Sequence, residues 1–287
     1  MNRFVNRSLL RGHGRVGAVL GLALVVALAS GQVMRVIRDK EGVLELKNLA
    51  SFRSTQVTKS QIVHRGKGAP RFNATWAERG LALSGESLEV VTDKNADGDF
   101  EVSVVHVVGG VKGSVGETDE RGLRRTATVD CDTAELNAAK NTGTLQGGVS
   151  IDARSPEEGK RLKFTGASAE IGLVPLKTKA DFPFTRVEVA GPITVRYESE
   201  VQDAETKKSR KVLISAKGSR LVYNDDARTL TLTGNVTLEG NDELVGTNVQ
   251  ASRAVLKFDA KRDLIDVELT GDPGTSTLRD KPTRSRN

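Results

Sequence analysis

The sequence predicts an all-β protein: an elongated antiparallel β-jellyroll, or open two-sheet stack, preceded by one N-terminal transmembrane helix. Three observations carry that expectation. Apolar and polar residues alternate at period two over most of the chain. Similar strand–turn–strand units recur roughly every 40 residues. A charge-free run, residues 16–34, stands near the N-terminus behind four arginines.

The elements follow in chain order. Residues 1–15 hold Arg3, Arg7, Arg11 and Arg15 and no acid, a basic stub of the kind retained in the cytoplasm. The next stretch, VGAVLGLALVVALASGQVM, matches the roughly 17–25 apolar residues a helix needs to cross a bilayer core. Apolar character continues through Val36 and Ile37, so the expected anchor covers 16–37 and places the body beyond the membrane. The competing reading is a cleaved signal peptide, with Ala27-Leu28-Ala29 as an A-x-A-like site. Both readings export the body, residues 38–278. A basic tail, 279–287, is expected to be disordered.

Within the body, Leu230, Leu232, Val236 and Leu238 all fall on even numbers, separated mostly by threonines. That is the pattern of a half-buried strand. Val187, Val189, Ile193, Val195 and Tyr197 alternate on odd numbers, as do Ile265, Val267 and Leu269. Turn-forming clusters separate the runs, among them Asn224-Asp225-Asp226 and Gly240-Asn241-Asp242. Glycines 109, 147, 191, 234 and 271 recur in similar contexts: VVGGV, LQGGV, VAGPI, LTGNV and LTGDP. A glycine inside a strand marks a bulge, a bend or a close approach.

Composition excludes several classes of function. Of the net charge of +6, the stub carries +4 and the tail +3, which leaves the body at −1. A nucleic-acid-binding domain would carry positive charge on its folded surface, and aromatics for base stacking are only 4%. No nucleic-acid partner is expected. One cysteine excludes a disulfide framework and Cys-based zinc sites. Cys131 sits between Asp130 and Asp132, which raise rather than lower a thiol pKa. The three histidines, His13, His64 and His106, have no visible ligand partners. Gly12-His13-Gly14-Arg15-Val16-Gly17 matches G-x-G-x-x-G, but a dinucleotide site needs a preceding strand and a following βαβ unit. No hydrolase, P-loop or redox motif is present, so neither an enzyme nor a cofactor is expected. Asp93, Asn95, Asp97 and Asp99, with Gly98, match the first part of an EF-hand calcium loop. The twelfth position, which should be Glu, is Val104, and the flanks read as strands. A polar hairpin loop explains the same residues.

If the two sheets part along one side, the inner faces offer a long apolar groove. Its candidate lining is Leu230, Leu232, Val236, Leu238, Leu256 and Phe258, with Val187, Val189, Ile193 and Val195. The same residues suit a filled core.

Residues 232–271, LTGNVTLEGNDELVGTNVQASRAVLKFDAKRDLIDVELTG, with Leu221-Val222-Tyr223-Asn224 before them, resemble the OstA-like units of the LptA–LptC family of lipopolysaccharide export proteins. The earlier units match more loosely, and Gly191-Pro192-Ile193 departs from the Asn or Asp usual after the glycine. An N-terminal anchor before this fold is the LptC-like layout; a cleaved signal before it is the LptA-like one. The resemblance implies a single-pass inner-membrane protein with its body in the periplasm. It implies acyl chains of lipopolysaccharide, or a related glycolipid, held between the sheets. It implies receipt from an inner-membrane ABC exporter and delivery along a bridge of OstA-like proteins joined by strand edges. The candidate edges are Leu44-Glu45-Leu46 on the membrane side and residues 264–269 on the far side. Two alternatives stand beside this reading. One is an exported β-repeat scaffold or envelope assembly factor acting through strand edges. The other is a glycan-processing enzyme or calcium-dependent carbohydrate binder using 93–99.

Overall fold

The computed structural model describes residues 26–27, 33–39, 42–118, 124–155, 159–174, 183–202, 209–241, 245, 249–260 and 262–271. They form fourteen strands: β1 (Val26–Ala27), β2 (Val33–Asp39), β3 (Gly42–Thr58), β4 (Gln61–Trp76), β5 (Leu81–Lys94), β6 (Phe100–Thr118) and β7 (Arg124–Asn137), then β8 (Thr142–Ser155), β9 (Lys160–Leu173), β10 (Phe184–Gln202), β11 (Ser209–Asn224), β12 (Thr229–Gly240), β13 (Val249–Phe258) and β14 (Leu264–Thr270). A single 3-10 turn, Ala77–Arg79, joins β4 to β5. Every strand pairs antiparallel with its sequence neighbours, in one sheet ordered β1 to β14.

Strands of up to 19 residues would make a flat sheet about 60 Å wide with one face in water. The sheet avoids this by bending. Nearly every long strand pair slips register near its middle: between Val108 and Val111, Asp130 and Thr133, Gln146 and Val149, Ala190 and Ile193, Lys217 and Arg220, and Thr233 and Val236. Neighbouring bulges align, so the whole sheet folds along one line into two facing walls. At that line β6, β8 and β12 each carry two consecutive residues with positive φ: Gly109–Gly110, Gly147–Gly148 and Gly234–Asn235. Asparagine is among the few side chains that tolerate this region. Pro192 cannot, and in β10 Gly191 alone has positive φ.

The bulges also keep the aliphatic stripe inward on both walls. In β12 the buried series Leu230, Leu232 resumes at Val236, Leu238, skipping one inward place. In β11 the series Val212, Ile214, Ala216 resumes at Leu221, Tyr223, on the other parity. The first wall runs from residues 51–58 of β3 to β14. The second runs from β2 and residues 44–47 of β3 to residues 249–251 of β13. Rings meet across the gap: Tyr197 on Phe258, centroids 5.5 Å apart, and Phe164 on Tyr223, 6.3 Å apart.

The all-β, antiparallel, jellyroll-like expectation holds, with the two walls joined as one continuous folded sheet rather than two separate ones. One expectation changes. The helix expected over 16–37 does not extend through its last residues, because Val33–Asp39 is a strand and Ile37 lies in the core. Val33, Val36 and Ile37 are β-branched and suit that strand. Val26–Ala27 pairs with it in turn. The rest of the expected span, the basic stub and the tail 279–287 lie outside the described residues. Among the described residues no helix is long and apolar enough to cross a membrane.

The outer face of the second wall carries a charge network. Asp152 accepts from Arg161 at 2.6 Å and Arg154 at 3.0 Å, while Glu198 pairs with Arg196 at 2.7 Å and Lys211 at 3.3 Å. Burial alone would raise the Asp152 pKa; the hydrogen bonds from Arg161 and Arg154 overcome it and hold the carboxyl at about 2.

Two tests follow from this geometry. Gly191→Ala places a Cβ 2.7 Å from Ala167 at φ +97. It should lower the urea unfolding free energy by about 1–3 kcal/mol. Gly148→Asn meets nothing within 4 Å at φ +57 and should change it by less than about 1 kcal/mol. Asp152→Asn should cost about 1 kcal/mol at neutral pH. Because the folded pKa is depressed, that difference should shrink as pH falls from about 4 to 2, read by urea melts across that window.

Candidate functional site

The two walls do not pack equally along the fold. Near the middle they part into a shallow groove, open to solvent along its rim. Val105, Ala134, Leu136, Gly143, Leu145, Ile171, Leu173 and Phe184 line it from the first wall, and Leu81, Leu83, Val111, Gly113, Val115 and Val129 from the second. Gly113, Ala134 and Gly143 occupy inward places filled elsewhere by Leu, Ile or Val, and Leu83 and Ile171 lean over the two glycines. Leu81, Leu83, Val115, Val129 and Leu173 are only half-buried and form the rim. The polar residues at its border, Ser114 and Glu135, are exposed.

Opposite the bend, the lips of the two walls are clasped on either side of the groove. On the N-terminal side, Arg79 of the second wall donates to Asn141 Oδ1 at 2.9 Å and the Ala138 carbonyl at 3.4 Å on the first. Its guanidinium lies 4.5 Å from the centre of the Trp76 ring. Further out, the Val102 amide donates to Asp39 Oδ1 at 3.1 Å. On the C-terminal side Lys160, 5% exposed, pairs with Asp263 at 3.1 Å. Tyr197 donates its hydroxyl to the Arg262 carbonyl at 2.8 Å, and Arg262 pairs with Asp225 at 2.6 Å. Beneath this clasp lies a narrow gap bordered by Leu162, Tyr197, Tyr223 and Phe258.

The residues expected from the sequence to line a groove all point inward but sit elsewhere. Leu230, Leu232, Val236, Leu238, Leu256, Val187, Val189, Ile193 and Val195 are at most 3% exposed and fill the packed interior nearer the C-terminal end. Phe258 borders the narrow gap. Periodicity finds which face points inward, not how far away the opposite wall stands. The usable signal was small residues at inward places, and Gly113, Ala134 and Gly143 carried it.

Asp93, Asn95, Asp97 and Asp99 lie at the hairpin turn from β5 to β6. Asn95 is occupied in closing that turn: its amide donates to the Asp99 carbonyl at 2.8 Å and its Oδ1 accepts from the Asp99 amide at 2.9 Å. Asp93 accepts from Gln61 Nε2 at 2.9 Å. Among the described residues no group of three or more His, Cys, Asp or Glu converges to hold a metal ion. His106 is half-buried on β6, opposite Glu89 and Glu135. Cys131 is buried and its thiol donates to the Thr133 carbonyl at 3.2 Å. Burial, with Asp132 and Asp130 adding to it, pushes that thiol up to about 11.

One expected edge moves. Leu44-Glu45-Leu46 is paired on both sides, to β2 and to β4. Among the described residues, the N-terminal edge of the first wall is residues 51–58 of β3, because β2 reaches only to Leu49. The far edge of that wall, among the described residues, is β14, as expected. Two of the three large apolar residues most exposed among those described lie on these edges: Val57 at 55% and Ile265 at 51%.

No family model matches the chain, and no curated protein matches it. Among solved structures it is similar to LptH, titled the LptA homologous periplasmic component of the conserved lipopolysaccharide transport device from Pseudomonas aeruginosa. The identity is 16% and the TM-score 0.36, over 58% of this chain and 94% of that one.

The thiol gives a direct check on the packing. At pH 8 native Cys131 should react with iodoacetamide at least about 100-fold more slowly than in 8 M urea. Comparable rates would mean that the inner face at β7 is open.

Proposed function

We propose that this protein is a carrier that holds an acyl chain of a glycolipid, of the lipopolysaccharide class or related to it, between the walls of its folded sheet. The observation that carries the reading is the groove: wholly aliphatic and aromatic on its inner surfaces, open at the rim and flanked by polar clasps. The likeness of 212–271 to OstA-like units supplies the lipid class. No bond is made or broken; the lipid enters and leaves by exchange between apolar surfaces.

Magnitudes suit a carrier. A chain of about 12 methylenes, fully buried once the walls admit it, contributes roughly 10 kcal/mol. Association costs at least about 4 kcal/mol. The remainder corresponds to dissociation constants of roughly 10–100 µM or weaker, so the lipid can be passed on. The edges at 51–58 and β14 can pair with strands of neighbouring proteins of the same kind, the nearest of them beside an inner-membrane exporter. The arginines of the stub and the apolar run behind them direct the body to the periplasm.

A fluorescent C12 fatty acid should bind saturably to the wild-type chain. Val115→Trp, which fills the rim, should weaken binding at least about tenfold while leaving the melting temperature within about 4 °C. A photo-crosslinking residue at Leu83 should label with the lipid, and one at Leu232, in the packed interior, should not. Absence of saturable binding, or equal labelling at both positions, would overturn the proposal and leave a scaffold acting through its edges.

A further inference from the structure

At the N-terminal end of the fold the interior changes character. On β2, Arg35 pairs across from Leu46 and so shares the inward face with that core residue and with Ile37. The residue is half-buried; its Nε and Nη1 are buried and, among the described residues, have no hydrogen-bond partner. The guanidinium carbon stands 5.7 Å from the centre of the Phe52 ring. The other neighbour of Phe52 is His64, stacked at 5.9 Å with 19° between the planes. His64 pairs with Ser54 on one side and Val90 on the other, and so also faces inward. Its Nδ1 lies 2.8 Å from Ser54 Oγ and its Nε2 3.5 Å from the buried Thr92 Oγ1. A cation, an imidazole and the Thr92 hydroxyl therefore sit on the inward face where the rest of the interior is aliphatic, with exposed Ser54 at the edge. They lie beneath the N-terminal edge of the first wall.

A guanidinium stays charged at any working pH. Buried without an anion it is costly, and the Phe52 ring offsets only part of that cost. The near acids on the same wall are engaged: Glu45 with Lys47 at 2.9 Å and Asp39 with the Val102 amide. An unanswered buried donor of this kind calls for an explanation. A bound anion supplies one. The hydrophobic cluster that includes Leu46 and Leu49 is continuous with the groove lining, through Val105 and Leu136.

Resting on the carrier reading, we propose that Arg35, beside the Phe52 ring, is a binding site for the phosphate group of a phosphorylated acyl amphiphile whose chain lies in the interior. The guanidinium donates to the phosphate oxygens.

The test uses the full chain and three probes: dodecyl phosphate, dodecanol and inorganic phosphate. Wild type should bind dodecyl phosphate at least about tenfold more tightly than dodecanol, a charge-assisted contribution. Arg35→Gln should reduce that preference to less than about threefold, and Arg35→Lys should keep an intermediate one. Unfolding midpoints should show that Arg35→Gln is no less stable than wild type, since it removes an unpaired buried charge. Equal binding of the two lipids by wild type overturns the phosphate site and leaves the groove standing. Equal loss of both lipids in Arg35→Gln overturns it too, assigning Arg35 to structure. If neither lipid binds, the carrier reading fails instead. The phosphate arm then decides: an Arg35-dependent thermal shift assigns the site to free phosphate, and no shift ends the proposal.

Discussion

The structure depends on one constraint, the line of bulges that folds the sheet. A meander of strands this long has no partner for its apolar face unless it covers itself. Each bulge costs local pairing and demands unusual backbone, which is why Gly109–Gly110, Gly147–Gly148 and Gly234–Asn235 stand where they do. In return both halves of each strand bury the same stripe. The alignment matters more than any single bulge. One misplaced bend would turn the inward residues of half a strand to solvent, because side chains alternate at period two.

Once the sheet is folded, the shape of the interior is set by side-chain size on the two walls and by what ties their free lips together. Toward the C-terminal end Tyr197, Phe258, Leu230 and Leu232 fill the gap, and Lys160 with Asp263 closes the lip above them. In the middle, glycines and alanines meet across the gap and a groove remains. The clasps Arg79–Asn141 and Lys160–Asp263 stand on either side of it. The polar bonds thus hold the lips where apolar contacts alone would leave the separation free to vary.

Much of this was legible before any coordinates. Alternation in Leu230, Leu232, Val236 and Leu238 identified the inward face, and the repeated glycines marked the bends, because both signals are local. The change of strand parity was not legible. In β11 the inward series crosses from Ala216 to Leu221 through Gly218-Ser219, with no positive φ among the described residues there to advertise it. The groove lining was missed because it depends on pairs such as Leu83 and Leu136, distant in sequence and set opposite each other only by the fold. Reading 33–37 as membrane-spanning failed for a related reason: an apolar run fits a bilayer or a sheet interior, and β3 supplied the sheet.

Under the carrier reading, the unequal packing has a mechanical consequence. The groove stands half-open at its rim, whereas Leu230 and Leu232 are fully buried in the half beyond it. A lipid moving lengthwise past them must part the walls and lose close-packed contacts, each small but many. The bend resists the least, since its glycines already occupy a region open to them without strain. The lips resist the most, because breaking Lys160 from Asp263 exposes a buried ammonium and strips an ion pair at once. Exchange at the half-open rim, past Leu83, Val115 and Leu173, avoids both costs. The physical arrangement therefore favours sideways entry and exit at the middle of the fold over threading from end to end.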